Sequence, residues 1–161
     1  MKTLVLIRHA KSSPAGKLQS DRERPLNDRG RQDAPRMAER LLQHRIIPDL
    51  LISSDGLRAL QTADLFAPVF KNAGLKLNQE PLLYNCDLET MLGVIREIGQ
   101  EHQTVFLFAH NPAISAAAGY LTGDAPDMPT AAVCAVQLPS WAAAGQGTAR
   151  LLYYGFPKDG A

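Results

Sequence analysis

Arg8 and His9 close the apolar run Leu4-Val5-Leu6-Ile7, and His110 closes a second one, Val105-Phe106-Leu107-Phe108-Ala109. Two imidazoles and a guanidinium therefore stand at two strand ends. In open α/β sheets ligands bind in the crevice outside the carboxyl ends of the strands, so residues that end two different strands can converge on one small site. Such a set suits an anion, and phosphate first. The guanidinium is a planar fork of donors that matches phosphate oxygens, and an imidazole is nucleophilic near neutral pH.

The elements that must position these groups can be read from periodicity. Strand-like segments at Thr3–Ile7, Leu50–Ser53 and Thr104–Ala109 alternate with helical patterns, which is the signature of a mostly parallel sheet covered by helices. The expected fold class is α/β, a single-domain α/β/α arrangement over residues 1–161. Ala34, Met37, Ala38, Leu41 and Leu42 share one helical face. Pro35 leaves two starts for that helix, one capped by Asp33 and one after Asn27. A second helix, carrying Leu60, Ala63, Ala67 and Phe70, follows Ser54, a credible N-cap. A third carries Leu88, Leu92, Ile95 and Ile98, and a fourth begins near Pro112. Ala132–Leu138 and Ala149–Tyr154 read as strands that pair around Gly145-Gln146-Gly147. Lys11–Gln19 is the longest evident loop and directly follows His9, so it is placed to close over the site.

Composition narrows the class. Of 161 residues, 45% are apolar and 20% charged, and no apolar run reaches the length of a membrane span. The first residues lead straight into a strand without an export signal, so a cytoplasmic location is expected. A net charge of +1 excludes a general nucleic-acid binder, which needs a sustained basic face. The arginines from Arg22 to Arg45 are interleaved with Asp21, Glu23, Asp28, Asp33 and Glu39, the pattern of a solvated face. Cys86 and Cys134 lack metal or disulfide spacing and are expected to be buried, inert thiols.

Several ordered blocks resemble the histidine phosphatase superfamily, also called phosphoglycerate mutase-like proteins. Leu4-Val5-Leu6-Ile7-Arg8-His9-Ala10 resembles its first strand with the Arg-His pair. Ser53-Ser54-Asp55-Gly56-Leu57-Arg58-Ala59-Leu60-Gln61-Thr62-Ala63 resembles the second block, with Arg58 as the second phosphate arginine, and His110-Asn111-Pro112 resembles the late histidine. Asp21-Arg22-Glu23-Arg24-Pro25-Leu26-Asn27-Asp28-Arg29-Gly30, Leu83-Tyr84 and Met128-Pro129-Thr130-Ala131 are similar to segments of the short bacterial phosphohistidine phosphatases, the SixA type. The resemblance implies a phosphoglycerate mutase-like fold and a phosphatase working without cofactor or metal through a phosphorylated His9.

The chemistry stands on its own terms. Phosphoryl transfer is helped mainly by positioning and by preorganised positive charge, which Arg8 and Arg58 supply. A neutral His9 attacks through one nitrogen while its other N–H is oriented by a backbone carbonyl. His110 is a second donor to the phosphoryl oxygens, charged once phosphate is bound. Amides at the start of the helix after Ser54 are placed to face the same anion. The resemblance puts Arg24 near the phosphate, although Arg22 and Arg29 have equal local claims. Ser12, Ser13, Asn111 and Thr130 are further candidates to bind phosphate, or else cap loops and turns.

Two departures from the superfamily pattern matter. Ala10 stands where many members carry glycine, so a positive φ is not required there. Tyr84 stands about where many superfamily phosphatases carry a glutamate acid; Glu80, Asp87 and Glu89 are nearby. An alkoxide leaving group needs a proton, whereas phosphohistidine takes one on its ring beforehand. The expected substrate is therefore a phosphohistidine-bearing protein of a phosphotransfer signalling or phosphotransferase system, with inorganic phosphate as product. A small-molecule phosphomonoester phosphatase and a phosphohistidine-binding module with little turnover are the alternatives.

Overall fold

The structure is a computed structural model that describes every residue except 15, 17, 18, 125, 126, 160 and 161. Its strands are β1 (Lys2–Arg8), β2 (Leu50–Ser53), β3 (Lys76–Gln79), β4 (Thr104–Ala109), β5 (Val133–Leu138) and β6 (Arg150–Gly155). They form one sheet in the order β3-β2-β4-β1-β5-β6. β1, β2, β3 and β4 run parallel, whereas β5 pairs antiparallel with both β1 and β6.

Among the described residues four α-helices cover the sheet: α1 (Asp28–Gln43), α2 (Leu57–Phe66), α3 (Leu88–Arg96) and α4 (Ala113–Thr122). Side chains on a strand alternate between faces, and here both faces are buried, which explains the unbroken apolar runs. Val5, Ile7, Leu51, Phe106 and Phe108 pack with Met37, Leu41 and Phe66 on the side of α1 and α2. Leu4, Leu6, Leu50, Ile52 and Leu107 pack with Leu92, Ile95, Ile114 and Leu121 on the side of α3 and α4. β1 therefore sends the chain to one face and its neighbour β4 sends it to the other. A crevice opens between their carboxyl ends, where His9 and His110 lie.

The longer of the two readings of α1 holds. Asn27 caps it by accepting from the Gly30 N–H at 2.9 Å, a cap worth about 1 kcal/mol, and Pro35 is accommodated inside the helix. Gly30 lets α1 pass beneath the chain leaving the site, because a Cβ there would lie 2.1 Å from the Lys11 carbonyl oxygen. α2 ends at Phe66, and Ala67–Phe70 continues as a 3₁₀ turn containing Pro68. Its N-cap is Gly56, not Ser54, whose hydroxyl is turned elsewhere. β3 is an additional strand: in Lys76-Leu77-Asn78-Gln79 a single apolar residue gives no alternation to read. Cys134 is buried as expected, whereas Cys86 is only half-buried.

Of the loop Lys11–Gln19, Ser12 bridges to Leu26 and the Ser13 N–H donates to the Pro25 carbonyl at 2.9 Å. Its closure over the site involves 15, 17 and 18, which lie outside the described residues. Among the described residues no helix is long and apolar enough to cross a membrane.

Candidate active site

His9 is buried at the end of β1. Its Nδ1 lies 2.8 Å from the carbonyl oxygen of Ala10, which can only accept, so Nδ1 carries the proton and Nε2 keeps its lone pair. Arg58 donates from Nε to that Nε2 at 3.3 Å. Burial pushes the His9 imidazole down to about 3, against the Ala10 hydrogen bond, and His110, Arg58 and Arg8 add to the depression. The ring is neutral at pH 7.

Thr62 ties α2 to this strand end. Its hydroxyl donates to the Arg58 carbonyl at 2.7 Å and accepts from the Ala10 N–H at 3.0 Å. The side chain of Thr62 thus registers Arg58 against the residue after His9. Ala131, with a φ of 63°, donates its N–H to the His9 carbonyl at 3.0 Å from the other side.

Arg8 donates from Nη1 to the Met128 carbonyl at 2.9 Å, and its Nε is buried without a partner among the described residues. Asn111 serves the same segment. Its amide donates to Met128 O at 3.1 Å and to Asp127 at 3.2 Å, and its oxygen accepts from Ser115 at 2.6 Å. Asn111 is thereby committed to the chain that holds Arg8, with no donor left to spare.

His110 ends β4 with its ring centroid 5.3 Å from that of His9. The Ser54 hydroxyl lies 2.7 Å from His110 Nε2 and also accepts the Gly56 N–H at 3.1 Å, while Nδ1 is buried and has no partner among the described residues. Burial, then Arg58, pushes His110 down to about 4, so without phosphate this ring is neutral as well. Tyr84 meets it edge-on at 5.4 Å, and a Cβ on Gly56 would lie 3.0 Å from its Cε1. A larger residue at position 56 would press on both the His110 and Tyr84 rings.

The Asp21–Glu23 3₁₀ turn completes the rim. Arg58 donates to the Asp21 carbonyl at 2.7 Å and to its carboxylate at 3.0 Å. Arg24 donates to the other Asp21 oxygen at 3.1 Å, to Ser12 Oγ at 2.9 Å and to Ser13 O at 2.8 Å. The Tyr84 hydroxyl also donates to the Asp21 carboxylate. Arg22 instead covers the Tyr84 ring at 4.2 Å and pairs with Asp55 at 3.1 Å, while Arg29 pairs with Asp33 at 3.5 Å within α1. Of the three arginines with equal local claims, Arg24 is the one bonded into the network of Arg58. The charge pattern places Asp21 on a solvated face; its carboxylate is half exposed, as that pattern implies, but it also binds Arg58, Arg24 and Tyr84. The only signal in the sequence was its place at the head of the block ending in Arg24-Pro25-Leu26.

Arg8, His9, Arg58 and His110 come from three elements to one crevice, with Arg24 and Ser12 at its edge. The arrangement gathers two guanidinium groups and two neutral imidazoles, with the unprotonated His9 Nε2 accepting from Arg58. Among the described residues no three or more His, Cys, Asp or Glu gather as a metal-binding set.

Comparison with known proteins places this class more narrowly. The model of the histidine phosphatase superfamily (branch 1) matches residues 4–116. The chain belongs to this superfamily, and that membership supports phosphatase activity. A comparison with curated proteins finds no significant match. Among solved structures, SixA from Agrobacterium tumefaciens is 27% identical with a TM-score of 0.83, over 97% of this chain and 98% of that one. SixA from Nakamurella multipartitia is 23% identical with a TM-score of 0.82, over 98% and 96%. The protein histidine phosphatase SixA complexed with tungstate is 22% identical with a TM-score of 0.81, over 96% and 97%. The expected phosphoglycerate mutase-like α/β fold is thus established.

Proposed function

We propose that this protein removes phosphate from protein phosphohistidine through a phosphorylated His9. The observation that carries the reading is the neutral His9, with Nδ1–H held by Ala10 and Nε2 unprotonated, accepting from Arg58. Arg58, and Arg8 with its unpartnered Nε, are suited to hold the equatorial oxygens of the transferred group. His110 offers a further donor from Nδ1, and Arg24 and Ser12 line the entrance.

In the first step His9 Nε2 attacks phosphorus, the phosphorus–nitrogen bond of the substrate breaks, and its electron pair goes to the substrate ring. A substrate ring already protonated on its far nitrogen leaves as neutral imidazole. Water then attacks the phosphorus on His9, the second phosphorus–nitrogen bond breaks, and dihydrogen phosphate departs while Nε2 regains its lone pair. Transfer from one imidazole to another is chemically near-balanced and needs no acid beside the leaving atom. An alkoxide without such an acid loses about 10²–10⁴-fold in rate.

The substrate assignment draws on Tyr84, which stands about where the superfamily resemblance puts a glutamate, and on the short turns Ser54–Gly56 and His110–Pro112 beside the site. A SixA neighbour binds tungstate, a tetrahedral oxyanion, in keeping with this use of the fold. The deciding experiment is a side-by-side rate comparison on a phosphohistidine protein, phosphoimidazole and a panel of sugar and nucleotide phosphates. Faster hydrolysis of the phosphoramidates supports the proposal. A preference for one alkyl phosphate would make the protein a small-molecule phosphatase, and binding without turnover would make it a recognition module.

A further inference from the structure

Asp21 presents a carboxylate to the arginine that a phosphoryl group needs. It accepts from Arg58 at 3.0 Å, from Arg24 at 3.1 Å and from the Tyr84 hydroxyl, yet its side chain is 49% exposed at the rim. A negative charge there opposes a phosphate dianion, so a purely electrostatic site would omit it. Its location supplies a reason. Tyr84 stands about where the superfamily resemblance puts a glutamate, and the Tyr84 hydroxyl binds Asp21. A carboxylate is thus brought to that neighbourhood by another route, from the turn between β1 and α1.

Its chemistry differs from that of the glutamate it stands in for. With two guanidinium donors and a phenol donor, Asp21 is held ionised, its carboxyl driven well below the usual range first by Tyr84 and then by Arg58 and Arg24. An ionised carboxylate cannot protonate an alkoxide. It can accept a hydrogen bond from an N–H.

We propose that Asp21 is the residue that selects N-phosphoryl substrates: as the phosphoryl group takes the Arg58 fork, Asp21 stays at the rim on Tyr84 and Arg24 and accepts the N–H of the leaving imidazole. The inference rests on the phosphohistidine reading and names a specificity residue for it. While phosphorus moves from the substrate nitrogen to His9 Nε2, the proton on the substrate's far nitrogen remains where it is. Asp21 favours the protonated, better-leaving form of the ring. An ester leaving group has no such N–H, so the carboxylate gives it nothing and only competes for Arg58.

The test compares wild type, Asp21→Asn and Asp21→Glu on phosphoimidazole and on 4-nitrophenyl phosphate, whose leaving group departs without a proton, with inhibition by inorganic phosphate measured alongside. Losing a hydrogen bond to a charged group predicts about a tenfold or greater fall in kcat/KM for Asp21→Asn on phosphoimidazole. Its 4-nitrophenyl phosphate rate should be held or raised, phosphate should inhibit more tightly, and Asp21→Glu should recover part of the phosphoimidazole rate. Equal losses on both substrates would reduce Asp21 to a support for Arg58 and overturn the inference, as would unchanged rates on both. If wild type prefers phosphoimidazole and Asp21→Asn keeps that preference, the inference alone fails. If wild type shows no such preference, the phosphohistidine reading fails and takes this one with it.

Discussion

Arg58 Nε points at His9 Nε2 across 3.3 Å, so the guanidinium N–H keeps that nitrogen unprotonated. A proton on Nε2 would face a guanidinium N–H head-on. The neutral, Nδ1-protonated ring follows from that contact together with the Ala10 carbonyl. The His9 imidazole and the Arg58 guanidinium form one arrangement, made by the end of β1 and the first turn of α2.

His9→Ala is expected to lower turnover by more than about 10³-fold, because no other side chain offers a lone pair at that position. Circular dichroism should show the fold retained. Trapping with ³²P-labelled substrate should label wild type on an acid-labile, base-stable group and leave the variant unlabelled; a variant with near-normal kcat would end the covalent mechanism.

Arg58→Ala should raise the inhibition constant of inorganic phosphate by about tenfold or more and cut kcat/KM further still, since the guanidinium serves ground state and transition state alike. Competitive inhibition assays decide it. Unchanged phosphate inhibition would place Arg58 outside the site.

Stability should decline with acid in a defined window. His9 and His110 are pushed down to about 3 and about 4 in the folded protein, below the ~6.5 of an unfolded chain, so the unfolded state binds more protons between these values. Their contribution is complete above pH ~6.5 and is lost as pH falls toward the folded values. Thermal melts from pH 7.5 to 4 should show a falling Tm, and His9→Asn should flatten the slope. The same slope in that variant would show that other groups govern the acid response.

Gly30→Ala should destabilise the protein by about 1–3 kcal/mol and reduce activity together, because the new Cβ would collide with Lys11 O two residues beyond His9. Urea unfolding gives the first effect and kcat/KM the second. Wild-type stability would mean that α1 shifts freely and does not brace the strand end.

The apolar runs of β1, β2 and β4 were legible in the sequence because both sheet faces are buried, and with them the placement of His9 and His110 at strand ends. The α1 periodicity was equally plain, but its start was not: Pro35 argued for a late beginning, and the Asn27 cap with the core contacts of Ala34 and Met37 outweighed it. β3 left no trace, since an edge strand with one half-buried leucine needs no pattern of its own. Ser54 illustrates a local rule overruled by a distant partner. Its type and position suit a helix cap, but His110, far away in sequence and 2.7 Å away in space, takes the hydroxyl.

By itself, then, the sequence determined the layers of the fold and the strand ends that carry Arg8, His9 and His110, because burial periodicity is a local, repeated signal. Which arginine of Arg22, Arg24 and Arg29 joins the site, what Asn111 and Ser54 bind, and that Asp21 sits on Arg58 were decided only in three dimensions. Each depends on hydrogen bonds between groups that distant segments bring together: the turn before α1 with α2, and the end of β4 with the end of β2 and with Met128. A charged residue among charged neighbours carries no mark of the single partner it will meet.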